Sequence, residues 1–516
     1  MSKRLIDEYS DALILARAAV GLVFSHALMS FSLVFMLLRV LFCNHQRLKT
    51  APKTLLAVML SFFALMIVGC LWSKDLEEAL RQLNKNLPFL IVPLYFFTIP
   101  PFDKKKTQYI TALFVLSVVA GSLIGLVRLF FFDYADIRIA LNFSSHIRFA
   151  LFVCLIIGFA CIYLLQKANT LSKRRLIATI GLIVYLTGYL VASSSLTGVV
   201  ILLVLFVPVS LWHCRKKTSH KVFTIYALLV AAGVCTLAWY VVDCARDYFV
   251  PKQERVENGF IENGYYCYSD NTDEMQQQKA QMEKGLEKYL SISADSLFQD
   301  GEYRYSYTDI ACRYFNSKGL SRTLESWNKL SKEDLTNIQK GIPNYVYACG
   351  NPLKVRLYKT FFEFESYRKW GKIKGSSLIQ KTELWQKTAM ICQKDCNWLH
   401  GVGTGGLKGE LNRELVKHSS PLSDSNLMTH NQFLSVYASW GLIGLAIFGI
   451  WLLYPAFATN LNKSAYYLWF FGVIAISMLS EDTLDNQQGI MLFSIVNTFL
   501  ICHKAERDKK AVPLQR

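Results

Sequence analysis

The chain has 516 residues, 53% of them hydrophobic, and its mean hydropathy is +0.26. This composition argues against a soluble globular protein, because soluble domains are usually less apolar. The formal net charge of +18 does not indicate a nucleic-acid partner. Its basic residues are dispersed among short segments between apolar runs instead of clustering on one face, so we predict no nucleic-acid binding.

Apolar runs near the length of about 18 residues that crosses a bilayer recur along the chain. They predict an all-α, polytopic membrane protein with about twelve transmembrane helices. In chain order, the runs lie at about 10–26, 28–44, 53–72, 87–100, 108–130, 146–166, 175–193, 195–213, 221–242, 430–457, 465–480 and 487–503. Residues 12–43 could instead form one long tilted helix, and no cleaved signal peptide is expected at the start.

Basic residues are concentrated in alternate connections between these runs. With Arg175 at a boundary, the connections on that side hold 22 Lys and Arg residues against six Asp and Glu residues, and they lie at 1–11, 45–53, 101–107, 167–174, 214–221, 458–464 and 504–516. Because cytoplasmic loops carry an excess of Lys and Arg, this side and both termini are predicted to face the cytoplasm.

The other side receives a large insertion, 243–429, with 26 basic and 24 acidic residues. It is too long for a plain linker, and helical periodicity at 273–293, 321–342 and 351–373 predicts a mostly helical extracytoplasmic domain. Asn351-Pro352 is typical of a helix start. We therefore predict four regions: an N-terminal transmembrane bundle of about nine spans, a large loop domain, a C-terminal group of about three spans and a basic cytoplasmic tail. Their bounds are 1–242, 243–429, 430–503 and 504–516.

The insertion carries six cysteines, which could form disulfides in an oxidising compartment. They could equally be small buried apolar residues. The six are Cys244, Cys267, Cys312, Cys349, Cys392 and Cys396. Paired CxxC and His-x-x-x-His spacings are not found in this insertion, so a zinc site is not expected.

Two basic residues are candidate ligands of a phosphate group. Arg148 lies about one turn inside the run at 146–166, and its guanidinium suits phosphate oxygens. The alternative is an arginine that reaches the lipid headgroups. Lys381 stands just before a helical pattern that leads to a glycine-rich segment, 401–405. It is one of eight basic residues between 354 and 381, most of which a solvated or headgroup-facing helix would explain.

His430 is the candidate general base, because it precedes an apolar run and would meet substrate at the water–lipid boundary. A lone His could also have a structural role. Asn431 and Gln432 could orient it or bind sugar hydroxyls. We interpret residues 401–405 as a tight turn, since no strand precedes them and no Walker lysine follows. Glu481 and Asp482 are expected to be exposed, and their adjacency does not suit a metal ion.

Four stretches together resemble the O-antigen ligase and O-antigen polymerase superfamily of bacterial membrane glycosyltransferases. They are SHIRFALFV at 145–153, SSSLTGVVILL at 193–203, the block at 377–445 containing SLIQKTELW, GVGTGG and THNQFLSVYASWGLIGL, and SEDTLDNQQG at 480–489. Their order and spacing agree with the superfamily over about the whole chain. Two positions depart from it, because Lys381 and Leu196 stand where many members have Arg.

The resemblance implies a GT-C-like fold in the bacterial inner membrane and metal-independent, cofactor-free glycan transfer from undecaprenyl pyrophosphate at the periplasmic face. The acceptor would be a hydroxyl of lipid A-core. By the same resemblance, Arg148 and Lys381 would bind the pyrophosphate and His430 would be the catalytic base. Supporting positions would be His146, Trp385, Asn431 and Gln432. A polysaccharide polymerase, a protein O-oligosaccharyltransferase and a non-catalytic glycolipid transporter remain alternatives.

Overall fold

The computed structural model is predominantly α-helical. It describes residues 3–42, 46–131, 144–193, 195–217, 219–252, 260–267, 273–300, 303–394, 397–423, 425 and 427–511. The helices are α1 Lys3–Phe24, α2 His26–Phe42, α3 Gln46–Lys49, α4 Lys53–Gly69, α5 Leu76–Lys85, α6 Pro88–Thr98, α7 Lys104–Phe131, α8 His146–Lys167, α9 Lys173–Ala192, α10 Leu196–Lys217, α11 His220–Phe249, α12 Asp273–Gly285, α13 Tyr307–Ser317, α14 Lys332–Gln339, α15 Tyr345–Cys349, α16 Pro352–Trp370, α17 Ser377–Cys392, α18 Asn397–His400, α19 Gly406–Lys417, α20 Gln432–Ala458, α21 Ala465–Met478 and α22 Gln487–Ala511.

The strands are short and form two antiparallel pairs in the insertion. They are β1 Phe260–Glu262 with β2 Tyr265–Cys267, and β3 Leu297–Asp300 with β4 Tyr303–Ser306. The sequence did not predict these pairs. The all-α class of the polytopic protein is nevertheless confirmed. The two hairpins are small, and the insertion is still mostly helical.

Six helical segments in the described part of the chain are long and apolar enough to cross a membrane. They are Lys53–Trp72, Lys104–Arg128, His146–Lys167, Lys173–Ala192, His220–Phe249 and Gln432–Ala458. Three shorter apolar helices, His26–Phe42, Thr197–Leu211 and Ala465–Met478, accompany them. The total of about twelve spans and the four regional boundaries remain predictions.

The first two apolar runs form separate helices, so the alternative of one long helix is wrong. Ser25 interrupts the chain between α1 and α2, and its hydroxyl accepts a hydrogen bond from the Leu28 N–H at 3.3 Å. A Cβ on Gly21 would lie only 2.8 Å from the backbone nitrogen of Met29. The absence of a side chain at Gly21 therefore lets the start of α2 approach α1 closely.

The helical patterns of the insertion have mixed outcomes. Asn351 caps α16 by accepting a hydrogen bond from the Lys354 N–H at 2.9 Å, and Pro352 occupies the first helical turn, as expected. The pattern at 321–342 is broken into a 3₁₀ segment, Leu324–Lys329, and the short helix α14. The break occurs at Ser331, whose side chain and Asp334 form a capping box that starts α14 as a new helix.

The described residues of the chain divide into two compact units. The first is made from Met1–Phe132, Arg138–Pro208 and Lys381–Arg516, and its apolar core is formed mainly by α4, α6, α8, α20, α21 and α22. Aromatic rings fill this core: Phe62 lies 5.0 Å from Trp451 and 5.0 Å from Phe448, measured between ring centroids. Gly158 in α8 leaves the space that the Trp469 ring occupies.

The second unit includes Val209–Gln380 and has its own core. Trp327 lies at its centre, 1% exposed, and stacks on Tyr289. Gly285 makes room for that ring, since a Cβ there would lie 2.1 Å from the indole nitrogen. The core is thus formed by residues of the insertion itself, as expected of a folded domain.

The cysteine thiols of Cys244, Cys349 and Cys392 are free. Cys396 lies outside the described residues, and the side chain of Cys267 is also not described. Among the described cysteines of the insertion, Cys244, Cys349 and Cys392 therefore do not form disulfides.

Candidate functional site

The turn between α21 and α22, residues 480–486, gathers charged groups from several parts of the first unit, and we call it the acidic turn. Its Glu481 and Asp482 are 4% and 6% exposed. The expectation that these carboxylates are exposed is therefore wrong. They are buried because groups distant in sequence supply the hydrogen bonds that a buried carboxylate requires.

Glu481 joins two of the residues singled out in the sequence. The Lys381 ammonium donates to Glu481 Oε1 at 2.9 Å and to the Ser480 carbonyl oxygen at 2.7 Å. Nδ1 of His430 lies 3.4 Å from Glu481 Oε2. Burial alone would raise the pKa of the Glu481 carboxyl, but His430 and Lys381 outweigh burial and lower that pKa to about 2. Glu481 is therefore an anion at neutral pH.

Asp482 fixes the backbone of His430. Its Oδ2 accepts the His430 backbone N–H at 2.6 Å, and its Oδ1 accepts the hydroxyls of Ser435 at 2.6 Å and Thr429 at 3.1 Å. His430 has a φ of +52°, a conformation that non-glycine residues rarely adopt. Such strain persists only where surrounding contacts hold it, and it is common at functional sites.

The residues predicted to support His430 are bonded to the protein around it. Asn431 caps α20 by accepting the Leu434 N–H at 3.1 Å and also donates to the Leu479 carbonyl oxygen at 3.2 Å. Gln432 Oε1 accepts the Leu484 N–H at 2.7 Å, which ties α20 to the acidic turn. The Trp385 indole donates to the Thr429 carbonyl oxygen at 2.7 Å. All three therefore position the loop that carries His430.

Asp485 receives a cation that the sequence interpretation missed. The Lys85 ammonium, at the end of α5, lies 2.6 Å from Asp485 Oδ1. Burial raises the pKa of the Asp485 carboxyl, while the charges of Lys85 and Arg148 oppose that rise. Arg148 therefore acts electrostatically on the acidic turn.

The start of α8 is anchored beside the acidic turn by side-chain hydrogen bonds. Gln488 Nε2 donates to the Ser144 hydroxyl at 3.1 Å and to the Leu22 carbonyl oxygen at 3.1 Å. Arg148 is half-buried and donates to the Ser145 hydroxyl at 3.3 Å. His146 is the first residue of α8, also half-buried, two positions before Arg148.

The glycine-rich segment at 401–405 is a tight turn, as expected. Val402 and Gly403 donate their N–H groups to the carbonyl oxygens of Ala438 and Ser439, and Thr404 donates to that of Gly69. These amides are occupied by the protein, so the turn does not resemble a phosphate-binding loop. The glycines are required because the chain passes against α20: a Cβ on Gly401 would lie 2.3 Å from the Ser439 carbonyl carbon.

The site has the parts that phosphate binding and proton transfer require. Two ammonium groups and a guanidinium lie on or act upon one acidic turn, and partly exposed His430 shares a carboxylate with Lys381. Cations of this kind bind phosphate oxygens, and an imidazole can accept a proton near neutral pH. Among the sequence-predicted residues, the structure joins His430 to Lys381 through Glu481, whereas Arg148 acts on the turn only through its charge.

A model of the O-antigen ligase family matches residues 180–449, more than half of the chain. The chain belongs to the O-antigen ligase family. The matched segment includes Lys381 and His430, while Arg148 and the acidic turn lie outside it. Membership confirms the resemblance seen in the sequence and makes the chain a membrane protein of a glycosyltransferase-type family. No curated protein matches the chain.

Glu481, Asp485 and Lys85 are the site residues that sequence reasoning missed. The SEDTLDNQQG motif did draw attention to the acidic turn, but its carboxylates were assigned to solvent. Lys85 is the last residue of the polar helix α5, and its sequence neighbours give no sign that it meets Asp485, 400 positions later.

Proposed function

We propose that the chain is a glycosyltransferase that transfers a polysaccharide from undecaprenyl pyrophosphate to a hydroxyl of a lipid A-core acceptor. The reaction would occur at the periplasmic face of the bacterial inner membrane, with both termini in the cytoplasm. Family membership supports glycan transfer in a membrane. The observation that carries the proposal is the shared carboxylate of Glu481, which holds a candidate base and a candidate phosphate ligand side by side.

His430 is the base in this mechanism. A neutral imidazole that directs its Nδ1–H at Glu481 keeps Nε2 unprotonated and able to accept a proton. The acceptor hydroxyl gives its proton to Nε2 as its oxygen attacks the anomeric carbon of the donor sugar. Glu481 then stabilises the imidazolium that forms. The strained His430 backbone, held by Asp482, keeps the ring at this position.

Arg148 and Lys381 act on the leaving group. As the new glycosidic bond forms, the bond between the anomeric carbon and the diphosphate oxygen breaks, and negative charge collects on the diphosphate. Cations placed where charge develops lower the barrier. Lys381 uses two of its three N–H donors on Glu481 and Ser480, which leaves one for phosphate. Attack from the face opposite the diphosphate inverts the configuration at the anomeric carbon.

The proposal is tested in a strain that lacks the gene. We expect the polysaccharide to remain attached to its lipid carrier and the ladder attached to lipid A-core to disappear from gels. Loss of polymer length with retained attachment would instead indicate a polymerase, and loss of a glycoprotein would indicate a protein O-oligosaccharyltransferase. Unchanged transfer with impaired movement of the glycolipid across the membrane would indicate a transporter.

The base is tested by complementing that strain with variants of matched chemistry. His430→Ala should lower transfer by about 10²- to 10⁴-fold, the contribution of a general base, while the protein still inserts and folds. His418→Ala is the control, since His418 is an exposed residue at the end of α19 whose ring contacts the Glu414 carbonyl oxygen. Retained transfer by His430→Ala would reject His430 as the base.

A further inference from the structure

Lys85 is held at the candidate site by a rigidly placed helix. At the start of α5, Asp75 accepts the Glu78 N–H at 2.9 Å as a helix cap. Further along, Gln82 Oε1 accepts the N–H of Gly405 at 2.9 Å, which joins α5 to the glycine-rich turn. The Cβ position of Gly405 would lie 2.4 Å from the Ala79 nitrogen, so the two segments are in close contact. The end of α5 therefore has a defined place.

The ammonium of Lys85 reaches the acidic turn and remains accessible. It lies 2.6 Å from Asp485, and its side chain is 33% exposed against 18% for its partner. Lysine has three N–H donors, and one donor satisfies this contact. Within the described residues, two donors of Lys85 therefore remain for a ligand.

Arg148 lies on another helix, α8, and its charge acts on the same carboxylate. The start of its helix is held by hydrogen bonds between Ser144 and Gln488. Gln488 lies three positions after Asp485 in the chain. The charges of both Lys85 and Arg148 act on Asp485. The three carboxylates of the acidic turn, Glu481, Asp482 and Asp485, balance the charges of Lys381, Lys85 and Arg148. A ligand would therefore be held by the accessible N–H donors of Lys85, which suit phosphate oxygens.

We propose that Lys85 is a third phosphate-binding cation, which binds the diphosphate of the lipid-linked donor together with Arg148. This inference rests on the proposed function, because it concerns the same donor. It assigns the cations to two places on the turn: Lys381 lies beside His430 through Glu481, while Lys85 pairs with Asp485, on which the charge of Arg148 also acts. A diphosphate carries two phosphoryl groups, and two separate sets of cations suit it better than a monophosphate.

The test measures binding of undecaprenyl diphosphate to the full chain in nanodiscs made of zwitterionic lipid. Lys85→Gln should weaken binding by about 10-fold, the effect of one charge-assisted hydrogen bond, and should weaken undecaprenyl monophosphate less. Lys85→Arg should restore most of the affinity. Arg81→Gln is the matched control on the same helix, because Arg81 is exposed and pairs with Glu77 and Glu78.

A double variant separates ligand binding from a merely structural role. In Lys85→Gln the half-buried Asp485 loses its partner, which could disturb the turn without any role in binding. Lys85→Gln/Asp485→Asn removes both charges and relieves that problem. If Lys85 binds phosphate, the double variant should remain about 10-fold weak. Wild-type affinity in the double variant, or in Lys85→Gln itself, would overturn the proposal.

The binding assay needs neither acceptor nor turnover, so the two hypotheses fail in different ways. If the wild-type chain transfers glycan and Lys85→Gln binds donor normally, this inference alone is wrong. If Lys85→Gln loses diphosphate affinity but no glycan transfer is ever observed, the proposed reaction is wrong and the phosphate site remains. Where turnover is measured, Lys85→Gln should raise the KM for donor more than it lowers kcat.

Discussion

Two groups of buried charges lie at different ends of the first unit, and they differ in what their donors do. In one, Arg39 donates to both carboxylate oxygens of Asp11, at 2.8 and 2.9 Å, and the Tyr95 hydroxyl donates to the same carboxylate. Asp11 is 1% exposed. This group is closed, because cation and anion are matched in a bidentate pair.

The other group is the acidic turn. The Leu22 carbonyl oxygen, in α1, contacts Gln488 near that turn. Asp11 lies eleven residues before Leu22 in the same helix, which corresponds to about 16 Å. At the turn, Lys85 and His430 keep 33% and 31% of their side chains exposed. Lys381 keeps 18%, the same as Arg39 in the closed group, but its partner Glu481 is shared with His430. The comparison teaches that burial of charge does not by itself indicate function. Hydrogen-bond donors that stay accessible beside a buried anion do indicate function, since they can bind a ligand without leaving that anion unpaired.

The largest expected effect comes from removing the carboxylate of the closed group. Asp11→Ala leaves the half-buried Arg39 guanidinium without its carboxylate, and we expect a loss of about 2–3 kcal/mol in the free energy of unfolding. Activity per folded molecule should be unchanged. Denaturant unfolding in detergent measures the loss. Glu77→Ala is the control, because Glu77 is 78% exposed and pairs with Arg81 on the surface of α5; surface pairs of this kind contribute about 0–1 kcal/mol.

A loss below about 1 kcal/mol for Asp11→Ala, or a specific loss of turnover, would contradict a purely structural role for the closed group.

The open group should respond in the reverse manner. Glu481→Gln keeps the shape of the side chain but removes the anion that orients His430 and stabilises its protonated form. We expect transfer to fall by about 100-fold, mainly in kcat, with a smaller effect on folding. Glu410→Gln is the control, because Glu410 also pairs with two cations, Lys74 and Arg413, outside the acidic turn. Equal activity of the two variants would show that Glu481 only stabilises the fold.

The smallest effect concerns pH. The pKa of Glu481 is lowered from 4.5 to about 2 in the folded protein. A carboxyl with a depressed pKa stabilises the fold fully above its unfolded value, and this contribution is lost as pH falls toward the folded value. The difference in unfolding free energy between the wild-type chain and Glu481→Gln should therefore shrink as pH falls between about pH 4.5 and pH 2. A difference that stays undiminished down to pH 2 would contradict this assignment.

The helices were largely predictable from the sequence because contact with lipid demands long apolar runs. Each of the twelve runs coincides with a helix, including the short run that became α6. The break at 321–342 was not predictable from periodicity, since Ser331 and Asp334 start a new helix within an otherwise helical pattern. The two hairpins were also not predictable, because their strands are too short to show an alternating pattern of apolar and polar residues.

The site residues that lie within a sequence motif were predictable. His430 and Lys381 were singled out from one block of sequence, and the structure joins them at Glu481. The burial of Glu481 could not be read from its own segment, because its partners lie about 50 and 100 positions away. Lys85 meets Asp485 only through the packing of α5 on the glycine-rich turn, which no local pattern encodes.

The central claim is that the open end of the first unit binds the diphosphate of a lipid-linked glycan beside His430. A structure of the chain with undecaprenyl diphosphate tests it most directly. We predict that the phosphate oxygens lie within hydrogen-bond distance of Arg148 and Lys381, with the departing sugar facing His430. A diphosphate bound away from the acidic turn, or Arg148 and His430 opening onto different faces, would contradict the account.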